Sequence, residues 1–213
     1  RTLRHLLPTL RNKVNVYTPG RQLSTFSFNP FITPPGLESS VYINQLVDVI
    51  SKAFTLGDGS QSVLQKAIAS IYARGNLSPT AGDIITELEK VPDIGRMGGW
   101  KVTALRALES LNFSNITTNN ISQKELVEKM IQGNTVVELD GLGDGVRKFL
   151  IPILYQWIFQ VKLCSPAREQ LSIAVFIDEA HLIFGQQQNR SENLMERLLR
   201  QTRELGIATI IMD

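Results

Sequence analysis

The chain has 213 residues, 43% of them hydrophobic, with 22 basic against 20 acidic side chains and a net charge of +2. That is the composition of an ordinary globular protein, with room for one large domain or for a core with an inserted subdomain. The charge balance excludes a basic tail or block and leaves nucleic-acid binding to a local patch made by the fold or by oligomer symmetry. One cysteine, Cys164, excludes an internal disulfide; it fits a reducing, cytoplasmic compartment and a role as a small buried hydrophobe.

In chain order, the first strand is expected at 14–18 (VNVYT). The segments NPF at 29–31 and PPG at 34–36 follow, and consecutive prolines there oppose helix and stiffen a connector. Five helical patterns come next, at 41–55, 62–73, 80–90, 100–112 and 122–131, with apolar residues at three- and four-residue spacing such as Leu46, Val49, Ile50 and Ala53. Pro79-Thr80 opens the third, and Ser122 with Glu125 has the spacing of a capping box for the fifth. Roughly 90 residues of helix between two strands is far more than an ordinary crossover, so the expectation is an all-helical subdomain, 37–132, inserted into a sheet domain made of 1–36 and 133–213.

The second strand is expected at 135–139 (TVVEL) and leads into the glycine-rich GLGDG at 141–145. A helix at 146–163 carries the longest apolar run, 149–159, which is interrupted by Pro152, Tyr155 and Gln156. A bilayer span needs roughly 20 apolar residues, so this segment reads as a helix covering one face of a sheet. The third strand, 173–177, is apolar on both faces, with Ile173, Val175 and Ile177 on one and Ala174 and Phe176 on the other, as in a strand buried on both sides of a parallel sheet. A helix at 191–205, a stop at Gly206 and a strand at 208–212 complete a strand–helix–strand–helix–strand order, which specifies α/β units with a parallel sheet.

Asp178 and Glu179 stand at the C-terminal edge of the third strand, where open α/β sheets bind ligands. This is the setting of a Walker B motif, in which the first acid holds Mg²⁺ directly or through water and the second polarises an attacking water. The phosphate cradle G-x-x-x-x-G-K-[ST] is not in the sequence, and GLGDG lacks the Lys-Ser/Thr pair, so it reads as a tight strand-to-helix turn. The chain stops at Asp213, inside or at the edge of the last strand, and the expectation is a piece of a longer polypeptide whose phosphate loop lies upstream of Arg1. The alternative is a non-catalytic nucleotide-fold scaffold.

FNPF (28–31), VVELDGLGD (136–144), VFIDEAH (175–181) and RELGIATIIMD (203–213) occur here in that order. Together they resemble the HerA/FtsK-type P-loop ATPases, in particular HerA-like DNA translocases and helicases and their conjugation-ATPase relatives. The resemblance covers most of the α/β part and extends loosely over the helices. It implies a RecA-like core, ATP and Mg²⁺ as cofactors, a ring that is commonly a hexamer, DNA as the partner, and a nuclease or other processing partner. It also makes Asp178 the Mg²⁺-side acid and Glu179 the water-activating base. Arg203 would be a finger reaching a neighbour's nucleotide, with Arg200 an equally placed rival and a solvated helix-end charge the alternative for both. A motor that powers conjugation or secretion is the other reading within the class. The segment alone is expected to be inactive.

His181 would also fit the DEAH helicases, but those place a Ser-Ala-Thr motif at the end of the next strand, where Thr209 comes too early. Zinc-type spacing is lacking around it, so a neutral hydrogen-bonding histidine behind the site is expected. For DNA contact, RMGGWK offers Arg96 and Lys101 beside an aromatic and two glycines. Trp100 equally well starts a helix and packs into the helical part.

Overall fold

The structure, a computed structural model, describes residues 14–21, 26–114, 122–166, 170–184 and 194–212. Strand β1 (Val14–Tyr17) is followed by helices α1 (Ser39–Phe54), α2 (Asp58–Ala73), α3 (Ala81–Glu89), α4 (Arg96–Phe113) and α5 (Gln123–Gln132). Then come β2 (Asn134–Val137), α6 (Asp144–Leu163), β3 (Ile173–Ile177), α7 (His181–Phe184), α8 (Leu194–Gln201), a 3-10 turn (Thr202–Leu205) and β4 (Ile207–Ile211). Each expected element has a counterpart, because the apolar periodicities of 3.6 and 2 are strong over these stretches; the start of the helix expected at 191–205 lies outside the described residues, and its end is the 3-10 turn.

Two helix starts differ from expectation in a telling way. The capping box forms on α3, where Thr80 Oγ1 accepts from the Asp83 N–H at 3.2 Å and Asp83 Oδ2 accepts from the Thr80 N–H at 2.7 Å. At α5 the Ser122 side chain makes no cap bond. The first turn of α5 is used otherwise: Gln123 Oε1 accepts the Asn29 backbone N–H at 2.6 Å. Tertiary demand outweighs the local signal there.

The strands pair in two separate parallel sheets rather than one. β1 runs beside β2 in the register Val14↔Asn134 to Tyr17↔Val137, and β3 beside β4 from Ile173↔Ile207 to Ile177↔Ile211. The β3–α8–β4 unit is the expected crossover; β2 and β3, joined through α6, are not hydrogen-bonded to each other. Sequence pattern identifies strands of four or five residues, but which edge each one uses is set by packing. β3 also departs from the expectation of two buried faces. Ile173, Val175 and Ile177 turn inward, while Ala174 and Phe176 face solvent, Phe176 with 61% of its surface exposed. The inner face is covered from α6, whose Tyr155 hydroxyl meets Thr209 Oγ1 of β4 at 2.6 Å; the outer face is open among the described residues.

α6 is buried over nearly its whole second half, with Ile153, Tyr155, Trp157, Phe159 and Val161 all in the core. It therefore does more than cover a sheet, since it packs against α1, α5, α7, α8 and the 3-10 turn. Cys164, expected to be buried, is exposed at its C-cap, one residue past the last buried turn. Among the described residues no helix is long and apolar enough to cross a membrane.

The FNPF segment is the joint between strand and helix. Phe28, Asn29 and Phe31 are at most 1% exposed. Asn29 Oδ1 accepts the Phe31 N–H at 3.0 Å in an Asx turn, and its Nδ2 donates to the Pro79 carbonyl at 3.0 Å. The Tyr42 hydroxyl of α1 donates to the Pro30 carbonyl and the Tyr72 hydroxyl of α2 to the Phe31 carbonyl. Burial pushes both phenols above their ordinary range. Phe26 stacks on Phe28, and Phe28 meets Trp157 edge-on at 6.1 Å, linking the joint to α6. α2 and α3 are clasped by Glu87, which accepts from Arg74 at 3.0 and 2.7 Å, from Lys90 at 2.7 Å and from Ser70 at 3.1 Å. The Arg74 and Lys90 hydrogen bonds pull its carboxyl down to about 2.

Asn29→Ala is expected to cost about 2–4 kcal/mol in urea denaturation, because it strands the Pro79 carbonyl and the Phe31 N–H in the interior. A loss below 0.5 kcal/mol, on the scale of a surface substitution, would refute the joint's weight, as an approximate threshold. The clasp makes a second prediction. A depressed folded-state pKa stabilises above the unfolded value of 4.5 and is lost as pH falls through about 2. The parent protein should thus lose its advantage over Glu87→Gln across that window, measured as unfolding midpoints against pH; parallel curves would rule out the linkage.

Candidate functional site at the end of β3

β3 delivers Asp178 and Glu179 to its C-terminal edge, next to the end of β4. The ladder carries on past both strands: the Met212 N–H donates to the Ile177 carbonyl at 2.9 Å, and the Ala180 N–H donates to the Met212 carbonyl at 3.1 Å. The carboxylate pair is thereby pinned to β4 on both sides. Glu179 has φ = +57°, in the left-handed region that side chains other than glycine seldom occupy. The only other non-glycine residue with positive φ among those described is Thr55, at a helix C-cap where that geometry is common. Glu179 has no such local excuse. Its conformation is imposed by the ladder before it and by α7 after it, where the Ile183 and Phe184 N–H groups donate to the Ala180 carbonyl.

Both carboxylates face solvent. Asp178 Oδ1 accepts the Glu179 N–H at 3.1 Å, which orients the Asp178 carboxylate and leaves its second oxygen for a ligand. The Glu179 side chain lies 65% exposed, with Oε2 3.4 Å from His181 Nδ1. His181, expected behind the site, is therefore beside it. No spacing rule could find this contact, since residues two apart meet only because Glu179 reverses the chain.

Among the described residues no cluster of three or more His, Cys, Asp or Glu side chains could enclose a metal. The exposed Asp178 and Glu179 carboxylates are the hard oxygen groups at this edge. That suits Mg²⁺, which keeps several waters and takes one or two carboxylates together with phosphate oxygens instead of an all-protein cage.

The other expected residues lie elsewhere. Arg203 is on the 3-10 turn before β4, and its side chain lies outside the described atoms. Arg200 is exposed on the last turn of α8. The RMGGWK segment is the start of α4, and Trp100 lies directly against Gly59 of α2, where any Cβ would collide with the indole. Arg96 is exposed there. Lys101 is buried, with Nζ donating to the carbonyls of Glu89 and Val91 at 3.1 and 3.0 Å and pairing with Asp93 at 3.1 Å, so it ties the end of α3 to α4.

The glycine-rich segment after β2 is a strand-to-helix turn, as expected. It meets the loop after β1, where Arg21 pairs with Asp140 at 2.6 Å. Gly20, at φ = +77°, lies so close to Leu142 and Gly141 that a Cβ there would clash. The Arg21–Asp140 pair escaped the sequence reading; the acid inside ELDGLGD was its one visible signal.

No protein-family model matches the chain, and no curated protein matches it in sequence. Solved structures do. The plasmid coupling protein TrwB in complex with a non-hydrolysable GTP analogue superposes with a TM-score of 0.59 at 13% identity. TrwB with ADP and Mg²⁺ gives 0.58 at 14%, and the unbound bacterial conjugative coupling protein TrwBdeltaN70 gives 0.57 at 13%. Each match covers 95% of this chain and 52% of the other, so the chain spans about half the length of these proteins. The fold of this chain is similar to that part of the TrwB coupling protein.

Proposed function

We propose that the chain is the carboxylate-bearing part of an ATP-hydrolysing motor with a RecA-like P-loop core, 1–36 and 133–213, and an inserted helical subdomain, 37–132. One observation carries the reading: adjacent carboxylates at the C-terminal end of β3, beside a parallel β4, with the second acid held in a left-handed turn. Strain of that kind concentrates at functional sites. Structures of TrwB with ADP and Mg²⁺ and with an ATP analogue support ATP and Mg²⁺ as the ligands.

Asp178 would hold the ion, which when bound neutralises charge on the phosphates. Glu179 would orient a water and take its proton for in-line attack. The phosphate-binding loop would come from the remainder of the whole protein, and the open outer face of β3–β4 would be covered by it. In a ring of such subunits, with a hexamer as the proposed form, Arg203 or Arg200 would reach a neighbour's nucleotide; such a finger contributes about 10³–10⁵ in rate.

The fold likeness to a conjugative coupling protein favours a motor for DNA transfer, whereas the ordered sequence motifs favour a HerA-like translocase with a nuclease or other processing partner. DNA is the partner in both, the setting is cytoplasmic, and the exposed Arg96 is the better placed of the two DNA-contact candidates. DNA-stimulated hydrolysis supports these readings; hydrolysis indifferent to DNA points to a secretion motor, and none at all to a scaffold.

In the full-length protein Glu179→Gln is expected to lower ATP turnover by about 10² or more with ATP binding kept. Unchanged turnover removes Glu179 from the role. Glu179→Gly should raise stability by about 0.5–1 kcal/mol, since glycine is free of the left-handed penalty, while turnover collapses. A stability loss on denaturation would show that the turn is not strained.

A further inference from the structure

We propose that His181 is a positioning residue that holds the Glu179 carboxylate for its water. The inference rests on the reading of Glu179 as the water-orienting base and adds a residue to it. In a regular helix or strand, side chains two residues apart are not hydrogen-bonding neighbours: a helix turns them to different faces, and a strand sets them nearly 7 Å apart, as an approximate spacing. Here the left-handed Glu179 turns the chain back on itself, and His181 Nδ1 comes to 3.4 Å from Glu179 Oε2.

The partners are anchored from opposite sides. Glu179 follows a ladder that runs into β4, and His181 opens α7, which follows the buried Ala180, buries its own Ile183 and packs on α6. Both side chains are more than half exposed. In the proposed role Nδ1 carries a proton and donates it to Oε2 once the side chains close the 3.4 Å gap. One carboxylate oxygen is then fixed by the imidazole and the other is left as acceptor for a water. The strained turn acquires a purpose: relaxing φ to the right-handed or extended range would move the imidazole away from the carboxylate.

The test uses the full-length protein, with steady-state ATP hydrolysis and fluorescent-ATP binding measured on His181→Ala, His181→Asn and Glu179→Gln, singly and combined. Asn keeps a donor near the place of Nδ1. His181→Ala is expected to lower kcat roughly tenfold or more with KM for ATP unchanged, as for loss of an orienting contact. His181→Asn should recover most of that loss, and His181→Ala should add nothing in the Glu179→Gln background. Full kcat in His181→Ala, equal damage from Ala and Asn, or additive losses in the double variant each overturn the proposal. Full turnover in Glu179→Gln alone overturns instead the role of Glu179 on which it rests, so the two failures are distinguishable.

Discussion

Everything in the helical part hangs from the buried Asx turn at Asn29. A chain leaving β1 must enter a stack of five helices and return to lie parallel beside its start, and each polar backbone group buried at that junction needs a partner. Asn29 supplies them at one point, reaching Phe31 within its own turn, Pro79 ahead of α3 and, through its backbone, Gln123 of α5. Tyr42 and Tyr72 take the next two carbonyls. Four helix starts or faces are thus fixed to three consecutive residues, Asn29 to Phe31, which is why α5 forgoes its own cap, and Phe28 is wholly buried beside Trp157.

From that joint the order passes through α6. Over its second half α6 is buried almost all round, packing against α1 and α5, which precede it, and against α7, α8 and the 3-10 turn, which follow it. The Tyr155–Thr209 contact sets β4 against it, and β4 in turn sets β3. What α6 does not reach, it leaves open. Phe176, Ile210 and Met212 lie on the outer face of the second sheet, and an apolar strand face of this kind is stable only when another layer covers it.

The carboxylate end gathers what these constraints cost. The β3–β4 ladder and α7 leave one residue, Glu179, to absorb a change of direction, and it does so at positive φ. A glycine would do this with less strain, yet a carboxylate is present. The choice of a side chain over backbone ease at this spot, together with the Asp178 backbone contact and the His181 contact, separates the turn from the ordinary glycine turn at Gly20, where only close packing is at stake.

By itself the sequence determined the elements and the place of Asp178 and Glu179, because apolar periodicity and an acid pair closing an apolar strand are local signals. Thr80 and Asp83 could also have been recognised as a box, being three residues apart. Only the tertiary structure decided the rest, since each decision depends on residues far apart in the chain. Lys101 looked available for DNA and is spent on carbonyls at the end of α3. Ser122 looked like a cap, yet its neighbour Gln123 is recruited by Asn29, 94 residues away. The strands looked like one sheet, yet pairing is chosen by edges that no strand records in its own residues. His181 was expected behind the carboxylates and is brought beside Glu179 by a single backbone angle, which a carboxylate's identity does not reveal.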